Sequence, residues 1–412
     1  MPFYRGLTSK NIFSSVFAVR RKKEKDCYLK NGSCVLEELL ALCDGNCRIP
    51  IRYFSAIEIH NAIRHSKSKM YLSDVSMVTG LLDNRPVLVR FNTREFNNIH
   101  RDIAITAQMS HLKNVLRLVG CCLEFEQPVM VYEYVEGISL FDLLFKKDNL
   151  NRKSLSWGNR LRIANEVASA IVFLHTEFTT PIIHREINPH KVIIDQKSGV
   201  AKILDFSVSI SLPPGESEAY VFRIFGGIST YRAPEYAMSG LVTQKIDVYS
   251  FGVLLLQLLT GKNVYDIMKR VYSTNSTERI DFEEDAKSNT EEDNTLDRVD
   301  STTSKERIDF EEDARSSTEE GSTFYSMDSK DKGTTYIDLV NGYIKEGNVM
   351  DLADPIILED HGTEIQQQLH DCFDLVKKCI AGNEDDRPYM IHVARELCRI
   401  EKCFRALTLG QN

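Results

Sequence analysis

The stretch Ile183-His-Arg-Glu-Ile-Asn-Pro-His-Lys191, followed by Asp205-Phe-Ser207, decides how this chain is read. Downstream lie Ala233-Pro-Glu235, Asp247-Val-Tyr-Ser-Phe-Gly252 and Asp386-Arg-Pro388. Any one of these phrases is a weak signal; all of them in one order make chance negligible. Outward from them, the apolar spacing changes. Met77 to Thr79 and Pro86 to Phe91 read as short strands joined at the turn-like Leu82-Asp-Asn-Arg85. Phe96 to Ser110 reads as a helix, and Val115 to Leu118 and Val129 to Tyr134 as further strands. Beyond Leu140 the spacing is helical over Arg160 to His175, Asp247 to Thr260, Ile365 to Ala381 and Met390 to Ala406. A strand-rich part followed by a larger helical part predicts an α+β molecule of two lobes.

The chain has 412 residues, more than the roughly 270 that such a unit needs. Residues 1–66 form an N-terminal extension with short helices. It carries a basic cluster, Arg20, Arg21, Lys22, Lys23 and Lys25, read as a solvated patch ahead of a membrane-facing one. Val35 to Cys43 has helical spacing, and Ser55-Ala-Ile-Glu58 is a capping-box pattern for a helix reaching Ile63. Residues 67–136 make the small lobe and 137–406 the large one. The large lobe contains an acidic low-complexity insertion at 263–332, rich in Ser, Thr, Asp and Glu, too polar to fold alone. ERIDFEEDA occurs in it at 278–286 and again at 306–314, and two copies are too few for a solenoid. Its Ser288, Thr290, Ser316 and Ser317 are candidate phosphorylation sites.

Composition excludes several classes. A net charge of -8 gives no reason to expect nucleic acid. No run approaches the ~18–20 apolar residues of a membrane span, and the longest, Phe251 to Leu259, is interrupted by Gln257. The N-terminus lacks a signal-peptide core, and Pro2 stands where myristoylation needs glycine. The cysteines have no paired framework, and Cys43 and Cys47 lack the spacing and histidine partners of a zinc site, so reduced thiols are expected. A cytoplasmic location follows, with peripheral attachment at the plasma membrane as the open alternative.

From about residue 70 to 400 the chain resembles a protein kinase domain. Ile183-His-Arg-Glu186 looks like the catalytic loop, Asp205-Phe-Ser207 like the metal-binding triplet, and Ala233-Pro-Glu235 like the close of the activation segment. Asp247 opens the stretch that looks like the buried central helix, and Arg387 stands where kinases pair an arginine with Glu235. The resemblance implies that the structural positions are kept and the catalytic ones altered. Met70, Leu72 and Val75 fall on the glycines of the phosphate-covering loop, where backbone amides must approach phosphate oxygens. Arg90 replaces the phosphate-holding lysine, and Asp102 aligns with its helical partner, so an Arg90–Asp102 pair is expected to brace the small lobe. Tyr132 and Tyr134 are the remaining degenerate nucleotide-site positions. Glu186 stands at the proton-acceptor position, expected to be non-functional, and Asn188 replaces a γ-phosphate lysine. Lys191 replaces the asparagine that ligates a second magnesium, and an ammonium repels a cation. Ile228 replaces a threonine that orients the catalytic carboxylate. Asp205 survives as a weak metal ligand or none, with Ser207 in place of a glycine. Two readings of Lys191 stand: it takes the place of magnesium as the counter-charge of Asp205, or it points to solvent. No cofactor is expected, with ATP and magnesium held weakly at most.

Within kinases, Leu118-Val-Gly-Cys-Cys-Leu-Glu124, Ser156-Trp-Gly-Asn-Arg-Leu-Arg-Ile-Ala164 and Pro234-Glu-Tyr-Ala-Met-Ser-Gly240 resemble plant receptor-like cytoplasmic kinases near the wall-associated type. Leu29-Lys-Asn-Gly32, Val35-Leu-Glu-Glu-Leu39 and Asp205-Phe-Ser-Val-Ser-Ile210 resemble the ZRK group of plant immune pseudokinases. That resemblance implies an adaptor or decoy in defence signalling. Such a protein binds an intracellular NLR immune receptor and recruits other receptor-like cytoplasmic kinases. The alternatives are a weakly active serine/threonine kinase, with Glu186 as base and Asp205 holding a single metal, and a structural remnant with no partner.

Overall fold

Asp83 and Asn84 adopt φ of 48° and 57°. A two-residue hairpin turn that matches strand twist requires this geometry, and Asp and Asn tolerate it. The turn joins β2 (Val75–Leu82) to β3 (Arg85–Phe91). With β1 (Lys69–Leu72), β4 (Leu118–Cys122) and β5 (Val129–Glu133) they form one antiparallel sheet in the order β1-β2-β3-β5-β4. The computed structural model describes residues 9–43, 50–64, 66, 69–72, 75–91, 98–146, 155–221, 229–263 and 349–409. The acidic insertion from residue 264 onward, its repeats and phosphorylation candidates, and Ile228 lie outside the described residues.

Strand alternation gives the sheet two faces. Val87, Val89 and Val131 face outward and are covered by Phe54, Ile59 and Ala62 of the extension. The cover is α2 (Ala56–Ile63), which starts with the expected capping box. The Ser55 hydroxyl accepts from the Glu58 backbone N–H, and the Glu58 carboxylate accepts from the Ser55 backbone N–H. Leu88 and Arg90 face the other way, toward α3 (Ile99–Met109) and the large lobe.

The expectation of short helices in the extension is corrected by α1, a single helix from Ser9 to Cys43. It packs on α3 through Val35, Leu39 and Leu42, with Asn31 buried on the same side. Asn31 donates from Nδ2 to the carbonyls of Leu123 and Phe125, both at 2.9 Å. Glu38 accepts from Asn98 at 2.7 Å and Arg101 at 2.8 Å, so α1 fixes the start of α3. That helix begins at Ile99, not Phe96, because the Asn98 side chain accepts from the Arg101 N–H and caps it. The strand expected at Val115 to Leu118 is displaced to Leu118–Cys122. Val115 to Leu123 is a nearly unbroken apolar run, so period two cannot set its bounds, and Val115 makes only an isolated bridge to Ile203.

Across the cleft, β6 (Gly137–Ser139), β8 (Val192–Asp195) and β9 (Ala201–Ile203) form a small sheet. The short helix α4 (Leu140–Phe145) follows β6, and β7 (Ile182–Ile183) precedes the catalytic-loop segment. The core of the large lobe is α5 (Trp157–Thr176), α7 (Gln244–Thr260) and the helices Gln366–Cys379 and Met390–Leu409, with the short α6 (Pro234–Ser239) beside them. Every residue of α7 from Ile246 to Thr260 is buried, as an all-round apolar helix should be. Gly252 allows this closeness: a Cβ there would meet that of Cys379 at 2.6 Å. Trp157 Nε1 donates to Gln368 Oε1 at 2.7 Å. Arg387 forms the expected pair with Glu235 through two bonds of 2.7 and 2.9 Å.

Candidate active-site cleft

Four short segments meet in the cleft. β3 carries Arg90, the first turn of α3 carries Asp102, Lys191 ends the turn before β8, and Asp205 follows β9. A backbone bond from the Leu204 N–H to the Lys191 carbonyl, 3.2 Å, sets those last two segments side by side. Arg90 donates to Asp102 Oδ2 at 2.6 Å, the pair expected from the sequence. Its other terminal nitrogen donates to Asp205 Oδ1 at 2.8 Å, which the sequence reading did not foresee. Lys191 Nζ donates to Asp205 Oδ2 at 2.5 Å and lies 3.3 Å from Glu186 Oε2. Of the two readings of Lys191, the structure shows the counter-charge. Ser207 Oγ donates to Asp205 Oδ1 at 2.6 Å. Asp102 Oδ1 accepts from the Phe206 N–H at 3.0 Å and the Thr106 hydroxyl at 2.9 Å.

The site is buried: the side chains of Arg90, Asp102, Asp205 and Lys191 are between 0% and 3% exposed. Burial alone would raise the Asp205 carboxyl, but Arg90 and Lys191 overcome it and hold the group well below the usual carboxylate range. Burial pushes Asp102 up, and the single guanidinium it shares with Asp205 offsets this only in part. Burial also works against the charge on Arg90, yet Asp205 and Asp102 together hold its proton well above the ordinary arginine value. Burial lowers His184, whose ring packs 5.2 Å from that of Phe206. Asp205 itself sits at φ 69°, a left-handed conformation that Asp tolerates and that the surrounding bonds hold in place.

Magnesium needs carboxylate oxygens with free lone pairs in near-octahedral array. Both Asp205 oxygens accept from protein cations, and an ammonium occupies the approach. The donor set does not fit the ion. The phosphate loop is altered too. Met70 and Leu72 lie in β1 and Val75 in β2, paired Met70 to Met77 and Leu72 to Val75, with side chains outside the described residues. Around Arg90 the side of the sheet that faces the large lobe is apolar and buried. Met77 pairs with Arg90 across the strands, Leu88 shares the face of Arg90, and both are 0% exposed in the cluster that holds Ile193.

Glu186 is thus brought to the charge cluster through Lys191. Tyr132 is also brought in: it is buried, and its hydroxyl accepts from Arg90 at 3.4 Å and donates to Met130 sulfur at 3.3 Å. Asn188 turns into its own loop, accepting from the His190 N–H and donating to the Glu186 carbonyl. Tyr134 stands apart, 41% exposed. Thr106, Leu88 and Met77 also belong to this site without having been singled out from the sequence, and Ser207, noted there only as a lost glycine, holds Asp205. Ser207 had a signal, a hydroxyl two residues after Asp205, the spacing at which such side chains bond locally. Arg185 has φ 70° and donates to the Val208 carbonyl at 2.7 Å and the Tyr236 hydroxyl at 3.2 Å.

Residues 88–398 match the protein kinase domain family, so the chain belongs to the protein kinases. Within that superfamily it belongs to the ZRK group, on similarity that extends along most of its length. It is 32% identical to the serine/threonine-protein kinase ZRK4 of Arabidopsis thaliana over 389 residues, covering 91% of this chain and 92% of the relative. It is 30% identical to the non-functional pseudokinase ZRK2 of the same plant over 401 residues, 94% of each. With the non-functional pseudokinase ZED1 it shares 38% identity over 255 residues, 58% of this chain and 72% of the relative. No described helix is long and apolar enough to cross a membrane.

Proposed function

We propose that this chain is a pseudokinase whose cleft serves shape and not phosphoryl transfer. It acts as an adaptor or decoy that presents its surface to an NLR immune receptor and to receptor-like cytoplasmic kinases. The observation that carries the reading is Asp205, whose two oxygens are held by Arg90 and Lys191. Phosphoryl transfer depends on metal ions that bridge and neutralise the phosphates, and that position is filled here by fixed protein charge. The resemblance to ZED1 and ZRK2, both named non-functional pseudokinases, supports the same direction. The receptor and the recruited kinases are inferred from the group alone.

ATP with magnesium is expected to leave the melting temperature unchanged. A ligand at a hundred times its dissociation constant would add about 2.7 kcal/mol, so a magnesium-dependent rise of several degrees would overturn the proposal. Glu186 keeps a carboxylate at the proton-acceptor position, and ZRK4 is named a kinase, so weak transfer is the competing reading. Radiolabelled phosphate transfer to a protein substrate, abolished by Glu186→Gln, would favour it. Capture of NLR repeat domains by the intact chain tests the adaptor half separately.

A further inference from the structure

Three consecutive carbonyls follow Phe206, and each is held by a donor from elsewhere in the fold. The Ser207 carbonyl accepts from the Asn98 N–H at 3.0 Å. The Val208 carbonyl accepts from Arg185 at 2.7 Å, and the Ser209 carbonyl from Arg101 Nη1 at 3.0 Å. Arg185 belongs to the catalytic-loop segment. Asn98 and Arg101 both sit at the start of α3, and one side chain of the extension grips them both. Glu38 Oε1 accepts from Asn98 Nδ2 at 2.7 Å, and Oε2 accepts from Arg101 Nε at 2.8 Å.

The gripped groups are planar, and this gives Glu38 its reach. A guanidinium is a rigid fork, so holding Nε of Arg101 aims Nη1 at the Ser209 carbonyl. Holding Nδ2 of Asn98 sets its carboxamide plane, whose Oδ1 accepts from the Arg101 N–H at 3.1 Å. The Glu38 and Arg101 side chains are 15% and 29% exposed, so water and salt screen them less than a surface pair. Glu38 is itself anchored. Val35, Leu39 and Leu42 dock its helix on α3, and Asn31 Oδ1 lies 3.0 Å from His100 Nε2 one turn away. Ile210 and Ser211 pair with β7. The bonds from Asn98 and Arg101 therefore act on the short stretch between Asp205 and that pairing, where the activation segment starts.

We infer that the N-terminal extension is a built-in clamp on the start of the activation segment, with Glu38 as the positioning residue and Asn98 and Arg101 as its arms. The order of residues 206–211 then depends on α1 being docked, and displacing α1 loosens the segment without touching it. The clamp holds carbonyls that the charges at Asp205 do not reach, so it stands apart from the nucleotide reading. Hydrogen exchange of the full chain, read by mass spectrometry over residues 206–212, tests it, with α7 as the reference for global opening. Glu38→Ala should speed exchange over 206–212 by roughly tenfold, the factor that loss of a hydrogen bond to a charged group produces, and should change α7 less. Glu38→Gln offers one oxygen to two donors and should give a smaller rise in the same place. Combining Glu38→Gln with Asn98→Asp should return the rate to that of the wild type. The new amide then donates to the new carboxylate, its oxygen still accepts from Arg101, and aspartate caps a helix as well as asparagine does. Equal acceleration over 206–212 and α7 would make Glu38 a contributor to global stability alone and overturn the inference. Unchanged exchange over 206–212, or a combined variant that stays as fast as Glu38→Gln, would overturn it as well.

Discussion

Two arginines of this molecule make nearly the same pair of bonds to different ends. Arg387 places both terminal nitrogens on one carboxylate, Glu235, at 2.7 and 2.9 Å. Arg90 places its two on different carboxylates, Asp102 at 2.6 Å and Asp205 at 2.8 Å, which belong to different lobes. The first is a forked pair in which one cation meets one anion, with further bonds from the guanidinium to backbone carbonyls such as that of Ala381. The second is under-supplied: one guanidinium serves two anions, and Lys191 supplies the missing charge. Around Arg387 and Asp247 the fold uses polar residues as permanent struts. Asp247 accepts from the backbone N–H groups of His184 and Arg185 at 2.8 Å each, and from His175 at 2.9 Å. In the cleft, protein cations hold both Asp205 oxygens, and removing either would leave buried charge unmatched.

The sharpest way to break that contrast is to remove each arginine. Arg90→Met leaves two buried carboxylates short of charge and should cost about 3–5 kcal/mol, the range for breaking one side of a buried ion pair. Arg387→Met should cost less, because Glu235 keeps partial access to water, its side chain being 15% exposed. Denaturant titration of both variants measures the order. If Arg90→Met is the milder change, the cleft is not held together by its own charges.

Lys191→Asn restores a neutral side chain at that position and tests whether the lysine is structural. The loss should be about 2 kcal/mol, typical of a hydrogen bond to a charged group, since Asp205 keeps Arg90 and Ser207. Adding Asp205→Asn should recover part of it, and strictly additive losses in the double-mutant cycle would show no coupling.

Acid separates the two carboxylates further. The folded pKa of Asp205 lies below its unfolded value, near 3.9 for a free aspartate, so its contribution is complete above that value and lost as pH falls through the folded one. Asp102 has the opposite sign. Burial raises it, so its contribution is complete below the unfolded value and lost as pH rises through the folded one. Asp205→Asn should therefore flatten the acid limb of the stability profile below about pH 4, whereas Asp102→Asn should not. Melting temperatures across the acid range decide between them.

The sequence made some of this legible, for reasons that can be named. Arg90, Asp102, Lys191 and Asp205 were readable because each falls inside a phrase of fixed spacing, so charge complementarity could be argued before any distance was known. That Arg90 also reaches Asp205 was not, because it depends on how the lobes close and no local spacing records that. The extent of α1 was hidden by chemistry. Its buried side includes Asn31, a polar residue satisfied by two distant carbonyls, and Gly32 lies beside it. The apolar period is therefore interrupted where the helix continues. The capping box at Ser55 was readable because it is a local device, complete within four residues.

That box supplies the mildest test, far from both arginines. Ser55→Ala removes the side chain that accepts from the Glu58 N–H, and loss of such a cap costs about 1 kcal/mol. The α2 helix it starts covers the outer face of β3, whose inner face carries Arg90. If the cleft is held by its own charges, loosening this cover should lower stability slightly and leave the Lys191–Asp205 coupling unchanged. The substitution has its own local readout. The backbone N–H and then the hydroxyl of Ser55 hold the Glu58 carboxyl below its ordinary value. Without the hydroxyl, Glu58 should titrate closer to an ordinary glutamate, measurable by NMR even if the change in melting temperature is only a few degrees. A Ser55→Ala chain with an unshifted Glu58 would mean the box does not form in solution. One that also abolished the Lys191–Asp205 coupling would mean that the outer cover, and not the charges, keeps the cleft in order.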